Sequence, residues 1–202
     1  NDQETSMKPF WLKVISLNLL LLSSAPSWGA VDKRSNITFD DTVNQEGMAL
    51  QLTGTGVRTA ILGIKVYAMA HYLQPGASQA EADANKRIVM HFLREVAGEK
   101  IVGSYKDSLE QNNSSVFENT ATHTALKPHI DSFLKAVNHT VNPGETLELH
   151  YLPKKGLKVV SGGQISTINS PQVAQMVWNI WFGPNPPSPG KKLKESLISL
   201  LK

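Results

Sequence analysis

Residues 50–73, LQLTGTGVRTAILGIKVYAMAHYL, constrain the fold more than any other stretch. Two runs rich in β-forming residues meet there at Leu62-Gly63, where glycine marks a turn. Runs joined so closely pair antiparallel, and the position of the turn then sets their register. A turn centred between Leu62 and Gly63 puts Arg58 directly opposite Tyr67 on one face of the sheet, with Cβ atoms about 5 Å apart. A guanidinium fork beside a phenol can converge on the oxygen pair of a carboxylate, or on an enolate oxygen. The same pair also fits a plain cation–π or hydrogen-bonded surface contact. Gly54 and Gly56 let the preceding backbone bend and approach a ligand closely, or simply make a turn.

The rest of the chain alternates between the two periodicities. Met48–Leu52, Ile88–Phe92 and Thr146–Tyr151 read as strands, and Lys154-Lys155-Gly156 as a hairpin turn between β-like runs. Ile101, Tyr105, Leu109 and Asn112 fall at helical spacing, as do Leu126, Ile130, Phe133, Leu134 and Val137. A third helix carries Val173, Met176, Val177, Ile180 and Trp181; it opens at Ser170-Pro171, with a cap residue and a proline in the first turn, and stops at Gly183. After the proline-rich break from Pro184 to Pro189, Leu193, Leu197, Leu200 and Leu201 form one apolar stripe on a short terminal helix. Strands first, helices inserted, then a hairpin and closing helices predict an α+β domain, an antiparallel sheet with helices on one face.

The N-terminal region reads as an export signal over residues 7–30. Lys8 and Lys13 supply positive charge after Met7, Val14 to Leu22 an apolar run, and Ser27-Trp28-Gly29-Ala30 small residues for cleavage. That run reaches roughly ten residues where a spanning helix needs about 20, so a cleaved signal and a periplasmic product are expected rather than a membrane anchor. Asn1–Ser6 precede Met7 and are set aside, leaving one domain over residues 31–202, long enough for one sizeable core.

Composition narrows the chemistry. Of 20 Lys+Arg and 17 Asp+Glu, the signal region takes Lys8 and Lys13 against Asp2 and Glu4, which leaves 18 against 15. That scattered excess, part of it in Lys191, Lys192, Lys194 and Lys202, makes no case for nucleic acid. With no cysteine there is no disulfide and no thiol chemistry. The histidines at 71, 91, 123, 129, 139 and 150 lack paired ligand spacing, so no metal and no cofactor is expected. No GxSxG elbow or phosphate-binding loop is present. Tyr105 and Asn112, seven residues apart on one helix face, remain either site residues or a core tyrosine with a helix-end asparagine.

LTGTGVRTAILGIKVYAMAHYL, RIVMHFLREVAGEKIVGSYKDSLEQNN and VWNIWFGPNPPSPGKKLKESLISLL, in that order, resemble the chalcone isomerase-like family in its bacterial exported branch. The resemblance covers nearly all of the chain beyond the signal. It implies an open-faced β-sandwich with a ligand cleft between sheet and helices. In the isomerases the arginine matching Arg58 stabilises the phenolate and the developing enolate of a ring closure, and Tyr105 and Asn112 resemble the assisting tyrosine and asparagine. One departure is instructive: where the enzymes carry a threonine, this chain has Tyr67, as in the family's fatty-acid-binding, non-isomerising branch, where tyrosine and arginine together hold the ligand carboxylate. Asn179, Ile180 and Trp181 also differ from the small-polar and aliphatic pair of the plant enzymes.

Two functions follow. One is a non-catalytic binder in which Arg58 and Tyr67 clamp a fatty-acid-like carboxylate and an apolar cleft takes the chain. The other is an intramolecular lyase of the chalcone-to-flavanone type, with Arg58 as electrophile and Tyr105 and Asn112 organising substrate and water. A domain that kept the fold and lost the site is the third reading. The phenol of Tyr67 takes volume that a rigid two-ring substrate needs, which favours the binder.

Overall fold

A computed structural model describes residues 29–78, 81 and 83–201. The expected signal lies outside these residues except for Gly29 and Ala30. The elements in chain order are β1 (Ala30–Asp32), β2 (Ile37–Phe39), β3 (Thr42–Gln45), β4 (Met48–Thr59), β5 (Lys65–Leu73) and β6 (Lys86–Phe92). Three helices follow, α1 (Gly98–Asn112), α2 (Ser114–Glu118) and α3 (Thr120–Ala136). The chain closes with β7 (Thr146–Leu152), β8 (Gly156–Ser161), β9 (Gln164–Ile168), α4 (Pro171–Phe182) and α5 (Lys191–Leu197).

Strands β3 to β9 form one antiparallel sheet in strict chain order, so each strand pairs with its sequence neighbour. The α+β arrangement is as the periodicities predict. The β7–β8 hairpin closes with Leu152 opposite Gly156, and Lys154 (φ 61°) and Gly156 (φ 129°) supply the left-handed backbone that this tight turn needs. Ser170 caps α4, its hydroxyl accepting from Val173 N at 3.2 Å, with Pro171 in the first turn.

The two faces of the sheet are buried differently. On one face the side chains of Met69, Ile88, Met90, Leu147, Leu149 and Val159 pack beneath α1, α3 and α4, and this is the main core. Helix α4 is buried almost all round, Trp178 and Trp181 completely. The opposite face is partly covered too. The small hairpin β1–β2 contributes Phe39 to a second cluster with Leu50, Leu52, Val57, Ala68, Ala70 and Tyr72.

Two expectations need correction. The terminal apolar stripe breaks after Leu197: Leu193 and Leu197 are buried, while Leu200 and Leu201 are exposed. The chain leaves the helix there because Leu200 N donates to Thr53 O on β4 at 2.8 Å, a bond that a continuing helix could not make. Gly54 and Gly56 make room for α5, whose residues stand where a ligand was expected. A Cβ on Gly54 would sit 2.1 Å from Ser196 O, and one on Gly56 2.5 Å from Leu193 Cδ1.

Candidate functional site

Strands β4 and β5 pair with Arg58 opposite Tyr67, as the turn position predicts. Thr55 to Arg58 keep one register against Tyr67 to Ala70, and the pairing shifts on either side, between Leu52 and Gly54 and between Arg58 and Thr59. The second shift lies immediately beyond Arg58, and such an irregularity re-aims the neighbouring side chain. The connection is a tight turn over Ile61–Gly63, with Leu62 and Gly63 in left-handed backbone, closed by Ala60 N donating to Ile64 O at 2.7 Å.

Arg58 and Tyr67 both line a cleft of about 450 Å³ between the sheet and α1. Val66 and Phe92 from the sheet, and Ile101 and Tyr105 from α1, give it apolar walls. Arg94, Glu95 and Lys100 stand at its polar edge and are exposed. Half-buried Arg58 donates from Nη1 to Thr59 O at 3.2 Å and makes no ion pair among the described residues.

Tyr67 is buried at the inner end of the cleft. Its ring lies 5.4 Å from that of Phe92, and its hydroxyl accepts from Trp181 Nε1 at 3.2 Å. Because the oxygen is already an acceptor, its own proton remains to be donated. Burial pushes the Tyr67 hydroxyl above its ordinary range, opposed by the Arg58 charge and the Trp181 hydrogen bond. Tyr105 is held well above its ordinary range by burial and by Tyr67, again opposed by Arg58. Both phenols are therefore neutral donors at neutral pH. The Tyr105 ring stacks on Phe133 at 5.7 Å and meets Trp181 edge-on at 5.9 Å, while its hydroxyl contacts Met90 Sδ at 3.4 Å.

Asn112 is placed elsewhere. Seven helical residues return to the same face about 10.5 Å further along the axis, well beyond Tyr105. Its amide nitrogen donates to Ser108 O at 2.9 Å and to Asn185 O at 3.0 Å, and its oxygen accepts from Asn185 N at 2.8 Å. These bonds tie the end of α1 to the segment after α4. The structure thus brings Arg58, Tyr67 and Tyr105 together on the cleft, and leaves Asn112 outside its lining.

Sequence reasoning missed three participants. The helical stripe and the departure from the plant enzymes both single out Trp181, but neither marks it as the donor to Tyr67. Arg94 and Lys100 flank the start of α1 on either side of Ala97-Gly98, and only that flanking placement hinted at a cationic edge. A second cavity, of about 510 Å³ between α3 and the β8–β9 hairpin, is larger but lined mainly by polar groups such as Ser161 and His139, whose Oγ and Nε2 are 3.0 Å apart. It lacks the apolar walls that a small-molecule site of this kind needs, so the Arg58 cleft is the better candidate. Among the described residues no group of three or more His, Asp or Glu could hold a metal ion, and no helix is long and apolar enough to cross a membrane.

An antiparallel sheet with helices packed on one face, and an arginine at the edge of an apolar cleft between them, defines a small α+β domain with room for a ligand. Residues 31–199 match the family profile described as chalcone isomerase-like, and the chain belongs to that family. The fold is similar to the crystal structure of a fatty-acid binding protein of Arabidopsis thaliana, with a TM-score of 0.65 and 15% identity over 84% of this chain and 95% of that one. At that identity the likeness speaks for the fold. No curated protein matches the chain by sequence.

Proposed function

We propose that this protein is a non-catalytic binder of a fatty-acid-like carboxylate. The observation that carries the reading is the Arg58–Tyr67 pair: a guanidinium without an ion pair among the described residues stands opposite a neutral phenol with a proton to give, above an apolar cleft of about 450 Å³. A carboxylate would take a charge-assisted bond from Arg58 and a hydrogen bond from Tyr67 while its chain lay against Val66, Phe92 and Ile101. Calorimetric titration of a medium-chain fatty acid into the wild-type protein and into Arg58→Ala is the test. Equal affinity in the two defeats the clamp.

The lyase alternative has Tyr105 on the cleft wall in its favour. Against it, Asn112 is engaged by Asn185 and stands outside the cleft lining, and the phenol of Tyr67 takes volume that a rigid two-ring substrate needs. Turnover of a 2′-hydroxychalcone that saturates and disappears in Arg58→Ala would reverse the ranking. We further propose a periplasmic site of action, supported by Lys8, Lys13 and the apolar run Val14 to Leu22. N-terminal sequencing of the exported product is expected to begin near residue 30 or 31, and a retained Met7 in that fraction would refute export by cleavage.

A further inference from the structure

We infer that the tip of the β4–β5 hairpin is a docking point for an anionic lipid bilayer, placed beside the entrance of the Arg58 cleft. Ile61, Leu62 and Ile64 are 85%, 94% and 46% exposed, a cluster of large apolar side chains within one turn. Folding gains almost nothing from Ile61 and Leu62 and only part of what Ile64 could give. Leu62 also holds a left-handed backbone, φ 61°, which costs a leucine energy that a glycine or asparagine in the same turn would not spend. The tip is nevertheless well formed. Besides the Ala60–Ile64 bond, Gly63 N donates to Ala60 O at 3.2 Å, and Thr59 N donates to Ser188 O at 3.1 Å. A rigid, hydrogen-bonded turn therefore holds three apolar side chains out into solvent.

The surrounding charge selects the occupant. Lys65 follows the tip and donates from Nζ to Arg34 O, which ties the exposed Lys33-Arg34 turn to the base of the hairpin. Arg58 precedes the tip, and Arg94 and Lys100 lie across the cleft from Ala60. Against these cations stand Glu95 at the cleft edge and Asp32, which is buried and engaged by Arg34, Ser35 and Thr55. A small apolar tip within a cationic surround fits shallow insertion at the boundary of headgroups and acyl chains, with the cations on anionic headgroups. Three side chains are far short of the roughly 800 Å² per partner of a stable protein interface. The choice of lipid also rests in part on the fatty-carboxylate reading of the cleft, since Arg58 and Ala60 border both the cleft and the surface of the tip. A bound protein would thus present its ligand entrance to the membrane.

Sedimentation of the full chain with phosphatidylcholine vesicles, with and without phosphatidylglycerol, tests the inference. The double variant Ile61→Ser/Leu62→Ser and the pair Arg34→Ala/Lys65→Ala are compared with wild type, and the apolar run Val14 to Leu22 is common to all three. Wild type should prefer anionic vesicles and lose the preference at high salt. The tip variant should partition about tenfold less or weaker still, with an unchanged melting temperature and unchanged fatty-acid affinity in lipid-free solution. Undiminished vesicle binding by the tip variant overturns the proposal. So does a wild-type dimer that the tip variant abolishes without any change in vesicle binding, which would make the tip a contact between copies. Tip-dependent vesicle binding by a wild type that takes up no fatty acid would retain the docking site and discard the carboxylate clamp alone.

Discussion

Trp181 on α4 donates its indole N–H to the hydroxyl of Tyr67 on β5, 3.2 Å away, and so couples the wall of the Arg58 cleft to the main core. The phenol is a structural acceptor and, in the proposed clamp, would also be the ligand's donor. Tyr67→Phe should then have two effects. Ligand affinity falls by the loss of one hydrogen bond, and a buried indole N–H is orphaned, at about 1–3 kcal/mol of stability. For a domain of this size that corresponds to a fall in Tm of roughly 2–4 °C per kcal/mol. A Tyr67→Phe melt that matches wild type would show the indole bond to be idle.

Arg58→Ala is expected to behave the other way. The side chain is half-buried, and its one hydrogen bond among the described residues goes to the neighbouring Thr59 O, so the melt should stay close to wild type. Affinity for a fatty carboxylate should fall by about 1.5–3 kcal/mol, roughly tenfold or more, because a bond to a charged group is lost. Arg58→Ala should weaken binding more than Tyr67→Phe, since it removes charge as well as a donor. Calorimetry and thermal melts on both variants separate the two roles, and the reverse order of affinities would argue against a carboxylate as ligand.

Asn112→Ala tests whether this residue serves the cleft or the fold. Its amide makes the three bonds to Ser108 and Asn185 described above, and Gly183 packs against it so closely that a Cβ there would lie 2.5 Å from Asn112 Oδ1. Losing them should cost about 1–3 kcal/mol in a chemical denaturation curve and leave fatty-acid affinity unchanged. A variant of wild-type stability with impaired ligand binding would return Asn112 to the site.

The Arg58–Tyr67 pairing was legible because two long β-rich runs surround a single glycine-marked turn, which leaves few registers open. Tyr105 was legible from helical spacing. The same spacing puts Asn112 on the face of Tyr105 but about two turns further along, outside the cleft lining, since periodicity reports angle and not the position of a partner such as Asn185. The irregularity beside Gly54 has a sequence mark in the strand glycine itself, whereas the one beside Arg58 demands no particular residue type and leaves none. Strands β1 to β3, of three or four residues each, are too short to show a period. The Trp181–Tyr67 bond spans 114 residues, and no local pattern encodes a contact at that distance.

The packing of α5 on β4 predicts unequal costs at its two glycines. At Gly54 a Cβ meets backbone, Ser196 O at 2.1 Å and the Leu197 carbonyl carbon at 2.7 Å, so Gly54→Ala must displace the helix. At Gly56 it meets the ends of side chains, Leu193 Cδ1 and Ser196 Oγ, which can turn aside. Gly54→Ala should cost about 1–3 kcal/mol or more by overpacking, and Gly56→Ala distinctly less. Denaturation midpoints of the two variants give the comparison, and equal losses would mean that α5 does not resist displacement.

His71 makes the stability of the fold depend on pH. It is fully buried, with its ring 4.7 Å from that of Phe182 and 6.0 Å from that of Trp178, and its Nδ1 lies 2.6 Å from Thr53 Oγ1. Burial and the nearby Lys86 charge lower its pKa to about 3, against a smaller upward pull from a hydrogen bond to the Leu197 backbone. The unfolded chain takes up this proton below about 6.5 and the folded chain does not until about 3, so the folded state binds fewer protons across that window. The contribution of His71 is therefore complete well above pH 6.5 and lost as pH falls, approaching roughly 1.4 kcal/mol per pH unit and amounting to about 1.6 kcal/mol between pH 6.5 and 5. His150, also lowered by burial, adds a slope of the same sign. That slope is common to wild type and His71→Gln, so the difference between the two proteins isolates His71. Denaturant unfolding at pH 7, 6 and 5 should show a flatter dependence in His71→Gln even if that variant is less stable throughout, and parallel curves would mean that His71 titrates alike in the folded and unfolded chain.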